Sequence, residues 1–459
     1  MIPSPEPSPD SRGSLRERAL SLALVVFAGV VVVTCTATPG PRDAVSPSPS
    51  PSSPVASHVA ASASAPAPAP AAPGSVPSAS SAVAATSAPL PSTEPPPLGV
   101  VPLPRFQSAL RELDAGRRSS HVRIVWLGDS HTAADFWTGA VRRVLQKAHG
   151  NGGPGFVHLG WAGAGYRHDG TRGIPGSTWR ITPAAYAQST TTDDGVFGLG
   201  GVRFEPRDAQ SRTGIEITDA AMADRALSFD VSYRLEAGAD IPTMHVGDAS
   251  AKLPLSPAGK LGHFKLSGVP GARTMRLDGS SRIQLFGVVV EADKPGVVLD
   301  TVGLNGARLA TALAWDEPTW VAELAWRQPE LVVVAYGTNE SQDLRGGAEK
   351  YGAQLDALLG RIKKAGANAD CLVITPIDRK DEAAATRLAK IRDVLAAHGK
   401  AAGCAVWDAQ AAMGGHGAMA AWAQESPPRS AGDGVHLTGR GYAALGERLG
   451  KELLPAAGH

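Results

Sequence analysis

Five near-continuous apolar runs, each followed by a stretch with apolar residues at three- and four-residue spacing, set the rhythm of this chain. The run "VRIVWLG" at 122–128 leads to "AADFWTGAVRRVLQKAHG" at 133–150, and "GVVLDTVG" at 296–303 leads to a short helix and then to "PTWVAELAW". Next, "ELVVVAYG" at 330–337 precedes a helix near 348–365, and "DCLVITPI" at 370–377 precedes "DEAAATRLAKIRDVLAAHG". The run "GCAVWDA" at 403–409 closes the series before a last helix near 440–453, and an amphipathic helix at 103–118 precedes it all. Strands apolar on both faces that alternate with helices predict a parallel sheet covered on both sides, an α/β domain.

Between 169 and 292 the rhythm changes. Short alternating runs such as "RALSFDVSYRL", "PTMHVGD", "GHFKLSG", "TMRLDG" and "SRIQLFGVVVEA" are bounded by Gly, Pro and Asp, with no helical period. An insert of this length is too long for a loop. It predicts an all-β sandwich or jelly-roll module set into the α/β domain, which is thereby split into 100–168 and 293–459.

Ahead of the folded part, Arg12, Arg16 and Arg18 precede an apolar run at 19–35 that is short for a membrane span and reads as an export signal. Its end, Val33-Thr34-Cys35, resembles a bacterial lipobox. Lipidation at Cys35, an uncleaved signal anchor and simple secretion all stay open, but each puts the protein in or beyond a bacterial cell envelope, facing the periplasm or the exterior. Residues 36–99 are almost entirely Ser, Pro and Ala. Such a segment cannot bury enough apolar surface to offset chain entropy, and is expected to be a disordered tether. At ~3.1 Å per residue in polyproline form it reaches on the order of 100–200 Å, a span suited to a cell-wall target.

Composition removes several function classes. With 44 basic against 43 acidic residues and a net charge of +1, there is no electrostatic footprint for nucleic acid. The three cysteines, Cys35, Cys371 and Cys404, lack metal-binding or redox spacing, and neither HExxH, a P-loop nor a strand-linked GxGxxG occurs. No metal and no cofactor is expected.

The candidate chemistry starts at "WLGDSHTAADFW". Ser130 falls in the turn between the first strand and its helix, a place for a nucleophile and equally for an ordinary N-cap. A nucleophilic serine needs a base and an acid that orients it. "GDGVHLTGRGY" supplies Asp433 three residues before His436, a spacing that lets the carboxylate reach the near ring nitrogen and leaves the far one for a serine. Gly306 in "TVGLNGARL" and Asn339 in "VVAYGTNES" follow the second and third strands. In a parallel sheet the loops after successive strands open on one edge, so Ser130, Gly306, Asn339, Asp433 and His436 are expected there together.

The blocks "GDSH", "GLNG", "GTNE" and "DGVH", in this order, resemble the SGNH (GDSL-type) hydrolase superfamily. The resemblance implies a three-layer, flavodoxin-like fold with a five-stranded parallel sheet. It implies Ser130 as nucleophile, His436 as general base and then acid, and Asp433 as the orienting carboxylate. The Ser130 and Gly306 N–H groups and the Asn339 amide would be the oxyanion donors. Within the superfamily, "WLGDSHTAADFWT", "GNGGPGFVHLG", "VVVEADKPGVVLDTVGLNGA" and the β insert are most similar to bacterial peptidoglycan O-acetylesterases. An O-acetylated polysaccharide is then the expected partner, and the insert resembles a carbohydrate-binding module in position only. An acetyltransferase with the same catalytic set, a lipase or thioesterase, and a non-catalytic wall-binding protein are the alternatives. Asp129 and His131 are explained by packing or capping as well as by chemistry. His158, Tyr166 and His168 are cleft or surface candidates, and Trp315, Trp320 and Trp326 are either sugar-stacking faces or helix packing. Cys371 and Cys404 begin strands that neighbour each other in the family's sheet, which leaves a disulfide and two buried thiols as alternatives.

Overall fold

In Val122–Gly128 (β1), Ile124 and Trp126 face one layer and Val125 and Leu127 the other, and all four are buried. That two-sided burial makes it the central strand of a parallel sheet. Around it lie Val297–Gly303 (β2), Leu331–Ala335 (β3), Asp370–Thr375 (β4) and Ala405–Asp408 (β5), in the order β2-β1-β3-β4-β5. Every pairing is parallel. This is the flavodoxin-like order, with the reversal at β1/β3 where such sheets open a crevice. The computed structural model describes residues 99, 101–159, 166–174, 178–184, 194–342, 347–366 and 368–456. The export signal, Cys35 and nearly all of the tether read at 36–99 lie outside them.

The helices used below are Pro104–Asp114 (α1), Ser130–Ala133 (α2), Phe136–His149 (α3), Glu317–Arg327 (α4), Glu349–Lys364 (α5), Glu382–Ala401 (α6) and Gly439–Leu453 (α7). Phe106 and Leu110 of α1, Val141 and Leu145 of α3, and Leu445 and Leu449 of α7 cover the Ile124/Trp126 side. Leu324 of α4, Leu355 and Leu358 of α5, and Leu388 and Ile391 of α6 share the opposite core with Val125 and Leu127. Cys371 and Cys404 form a disulfide between β4 and β5, with Cα atoms 4.7 Å apart. Closing a loop of 33 residues stabilises the fold by about 3–4 kcal/mol in the chain-entropy account.

The insert is all-β and antiparallel. One sheet runs Gly262–Ser267, Leu227–Leu235, Ile283–Ala292, Val202–Pro206, Trp179–Pro183; the other runs Thr171–Ile174, Thr213–Ile217, Thr274–Leu277, Thr243–Val246, Ala249–Lys252. Phe229, Val231 and Tyr233 of the first share a core with Ile215, Met244 and Met275 of the second. The sheet starts earlier in the chain than the sequence pattern marked, since Gly155–Val157 pairs with Val288, Val289 and Val290. Three residues carry too little alternation to register as a strand.

The module is bolted to the sheet by charge. Glu291, at the end of its longest strand, accepts from Arg123 Nε of β1 at 2.6 Å and from Arg327 Nη2 of α4 at 3.0 Å. Arg327 also holds Asp300 of β2, with Nε to Oδ2 at 2.7 Å, while Asp300 Oδ1 accepts from Phe156 N at 2.8 Å. Trp315 and Trp320 are buried in the core shared with the module, and Trp326 stacks on His263 at 4.0 Å. Helix packing, against the module's sheet, therefore accounts for these tryptophans. His158 and His168 are buried too, which removes the surface reading: His158 sits at the start of the module's sheet against Phe156 and Phe204, and His168 Nδ1 lies 3.7 Å from Asp135.

Candidate active site

The turn from β1 into α2 is possible because residue 128 is glycine: a Cβ there would lie 2.1 Å from Thr132 Oγ1. Asp129 is the N-cap, its Oδ1 accepting from His131 N at 3.0 Å. Ser130 is thus the first helical residue, not the cap. Its hydroxyl points to the loop before α7, where Oγ lies 2.9 Å from His436 Nε2 across 306 residues of chain.

His436 Nδ1 lies 2.7 Å from Asp433 Oδ2, and Asp433 Oδ1 accepts from the backbone N–H groups of Val435 and His436, both at 2.9 Å. Desolvation alone would raise the Asp433 pKa; the hydrogen bonds from His436 and Val435 win and hold it at about 2. As an ionised acceptor it requires the proton on Nδ1, so Nε2 is left to accept from Ser130. The three side chains form one hydrogen-bonded line.

Gly306 and Asn339 meet at the same edge. Gly306 has φ +74°, the left-handed turn that glycine adopts without strain. Asn339 opens the short turn after β3 and donates one Nδ2 hydrogen to Ala307 O at 3.0 Å, which pins the Gly306 loop and leaves the second hydrogen for a ligand.

Several features that complete the site go beyond what the sequence marks. His131, buried, has its ring 5.1 Å from that of His436 and its Nδ1 2.7 Å from the Tyr442 hydroxyl. Burial first, and the neighbouring His436 second, push its pKa down to about 3, so it stays a neutral wall behind the exposed imidazole. The backbone of Lys380 donates to Gly434 O at 3.0 Å, tying the loop after β4 to the Asp433 loop. Asp135, with φ +51°, accepts from Arg142 Nη2 at 2.6 Å, Thr301 Oγ1 at 2.8 Å and Asp169 N at 2.7 Å, fixing the α2–α3 corner to β2. Only the positive φ of an aspartate hints at this hub, and no sequence pattern encodes it.

Beneath Ser130 the polarity is different. Asp129 and Glu340 are both fully buried acids; Asp129 Oδ2 and Glu340 Oε2 have no hydrogen-bond partner among the described residues. Burial raises Asp129 to about 8, helped by the nearby Glu340, and raises Glu340 to about 7 against the hydrogen bond from Leu309 N.

A family model described as GDSL-like lipase/acylhydrolase matches residues 262–444, a span that holds Gly306, Asn339, Asp433 and His436 but begins after Ser130. Among curated proteins, none matches the chain. Among solved structures, a peptidoglycan O-acetylesterase is similar at 23% identity and TM-score 0.65, over 76% of this chain and 95% of that one. An acetyl xylan esterase matches at 17% identity and TM-score 0.27, over 35% and 83%. A family two carbohydrate esterase from Clostridium thermocellum, in complex with cellohexaose, matches at 9% identity and TM-score 0.26, over 60% and 98%. The first of these, with the five-stranded parallel sheet, gives the chain the SGNH hydrolase fold with an additional antiparallel β module.

Proposed function

We propose that this chain is an SGNH/GDSL-type hydrolase that removes O-acetyl groups from a cell-wall polysaccharide, peptidoglycan, through an acetyl-enzyme on Ser130. The observation that carries this reading is the continuous line Ser130–His436–Asp433, with steps of 2.9 and 2.7 Å, from segments far apart in the chain. Ser130 Oγ attacks the acetyl carbonyl while His436 Nε2 takes its proton, and Asp433 holds the imidazole in the required tautomer. The negative oxygen then faces the N–H groups of Ser130 and Gly306 and the free hydrogen of Asn339. Collapse releases the sugar hydroxyl, protonated by His436; water, deprotonated by the same nitrogen, frees acetate. Each proton taken is given back, so neither metal nor cofactor enters the reading.

The choice of polymer draws on the similar peptidoglycan O-acetylesterase and on the N-terminal sequence, which reads as an export signal followed by a long tether. The test is acetate release from O-acetylated peptidoglycan by the wild type and by Ser130→Ala. Release by the first and none by the second is expected; equal release by both overturns the mechanism. Acetyl transfer to added glycan, read by mass spectrometry, would make the protein a transferase. Faster turnover of 4-nitrophenyl octanoate than of the acetate would make it a lipase.

A further inference from the structure

The outer face of the five-stranded module sheet carries a trough whose shape follows from register. Ile174 pairs with Gly214, Gly214 with Arg276, Arg276 with His245 and His245 with Ser250, so the five lie in one row across the strands. Opposed residues share a face, and the alternate positions Ile215, Met244, Met275 and Leu277 are buried in the sandwich, so this row points away from the core. Glycine is required at 214 in this row, because a Cβ there would lie 2.3 Å from Met275 O. The result is a cavity of about 710 Å³ between Ile174 on one side and His245 and Arg276 on the other, with Thr213, Thr274 and Arg212 along it.

Its charge is unbalanced. The single carboxylate, Asp278, is shared between Arg212 Nε at 3.3 Å and His245 Nε2 at 3.0 Å. Arg276 is exposed, and no carboxylate among the described residues pairs with it. A surplus guanidinium in an open trough, beside the Thr274 hydroxyl and an acceptor carboxylate, matches a ligand with both hydroxyls and anionic oxygens. We propose that this face of the module binds a carboxylate-bearing polysaccharide strand, with Arg276 on a carboxylate and Asp278 and Thr274 on neighbouring hydroxyls. The choice of a polysaccharide rests on the esterase reading; the anion preference rests on the trough alone.

The test is affinity electrophoresis of the full chain in gels containing polygalacturonate, neutral dextran or polyphosphate, alongside hydrolysis of 4-nitrophenyl acetate. Polygalacturonate should retard the wild type and dextran should not. Arg276→Ala should weaken that retardation about tenfold, the loss of one charge-assisted contact, and Arg276→Glu should abolish it. Ester hydrolysis by both variants should equal that of the wild type, which shows that they fold. Retardation unchanged in both variants, equal retardation by dextran, or retardation by polyphosphate alone would each overturn the assignment. None of these outcomes depends on Ser130, so the site and the esterase reading fail separately.

Discussion

Two polar clusters lie along β2 and are built on opposite principles. At the module junction, Arg327, Asp300 and Glu291 are buried and every carboxylate meets a guanidinium. At the strand ends, His436 and Asp433 are 39% and 50% exposed at the side chain, and among the described residues Asp433 forms an ion pair with the imidazole alone. The junction groups cannot change charge or partner without leaving an ion stranded in the interior. The strand-end groups are near enough to water to trade protons and near enough to each other to trade them in order. The same residue types thus hold a fold together in one place and remain reactive in the other, with exposure deciding which.

Removing one member from each cluster separates the two roles. His436→Ala is expected to lower kcat/KM for a small acetate ester by at least ~10⁴, or about 5.5 kcal/mol of transition-state stabilisation, with the midpoint of urea unfolding unchanged. Arg327→Ala is expected to do the reverse: to destabilise the fold by ~3–5 kcal/mol while folded molecules keep their kcat. Urea unfolding and initial rates on the same samples check both, and a Arg327→Ala variant as stable as the wild type would break the contrast.

This contrast also marks what the amino-acid order carried. The parallel strands were legible because burial on both faces writes a continuous apolar run, as in 122–128 and 330–337. The reactive edge was legible because a parallel sheet sends the loops after its strands to one side, so Ser130, Gly306, Asn339 and His436 needed no distance information to be grouped. The junction was not legible: Asp300 sits inside an apolar run and Arg327 at a helix end, and only the folded chain puts their charges together. Three short strands of the module escaped for another reason. Gly155–Val157, Ala249–Lys252 and Thr171–Ile174 are three or four residues long, too short for alternation to stand out. His131 read as a cap or a packing residue, and it packs, though against the His436 imidazole.

A smaller effect is expected at Asn339, which bridges structure and chemistry through the two hydrogens of one amide. Asn339→Ala should lower kcat by ~10²–10³ with KM little changed, the signature of a donor used only when the oxyanion forms. A rise in KM with kcat intact would instead assign the amide to holding the Gly306 loop through Ala307 O.

A pH-dependent effect is expected at Asp129, the buried acid that belongs to neither scheme. It lies directly before Ser130, yet meets no guanidinium among the described residues, and burial holds its pKa at about 8. Because the folded value lies above the unfolded one of about 4, folding takes up a proton between those limits. Its stabilising contribution is therefore complete below pH ~4 and is lost as the pH rises through about 8. The junction carboxylate Glu291 has the opposite sign: Arg123 and Arg327 overcome its burial and push its pKa down, so its contribution is present at neutral pH and lost in acid. Asp129→Asn mimics the protonated acid without titrating. It should match the wild type in stability below pH ~4 and exceed it increasingly between pH ~5 and ~9, flattening the alkaline limb of a stability profile while leaving the acid limb in place. Parallel profiles for the two proteins across that range would show that Asp129 is ionised in the fold and that the ground beneath Ser130 is more polar than its burial implies.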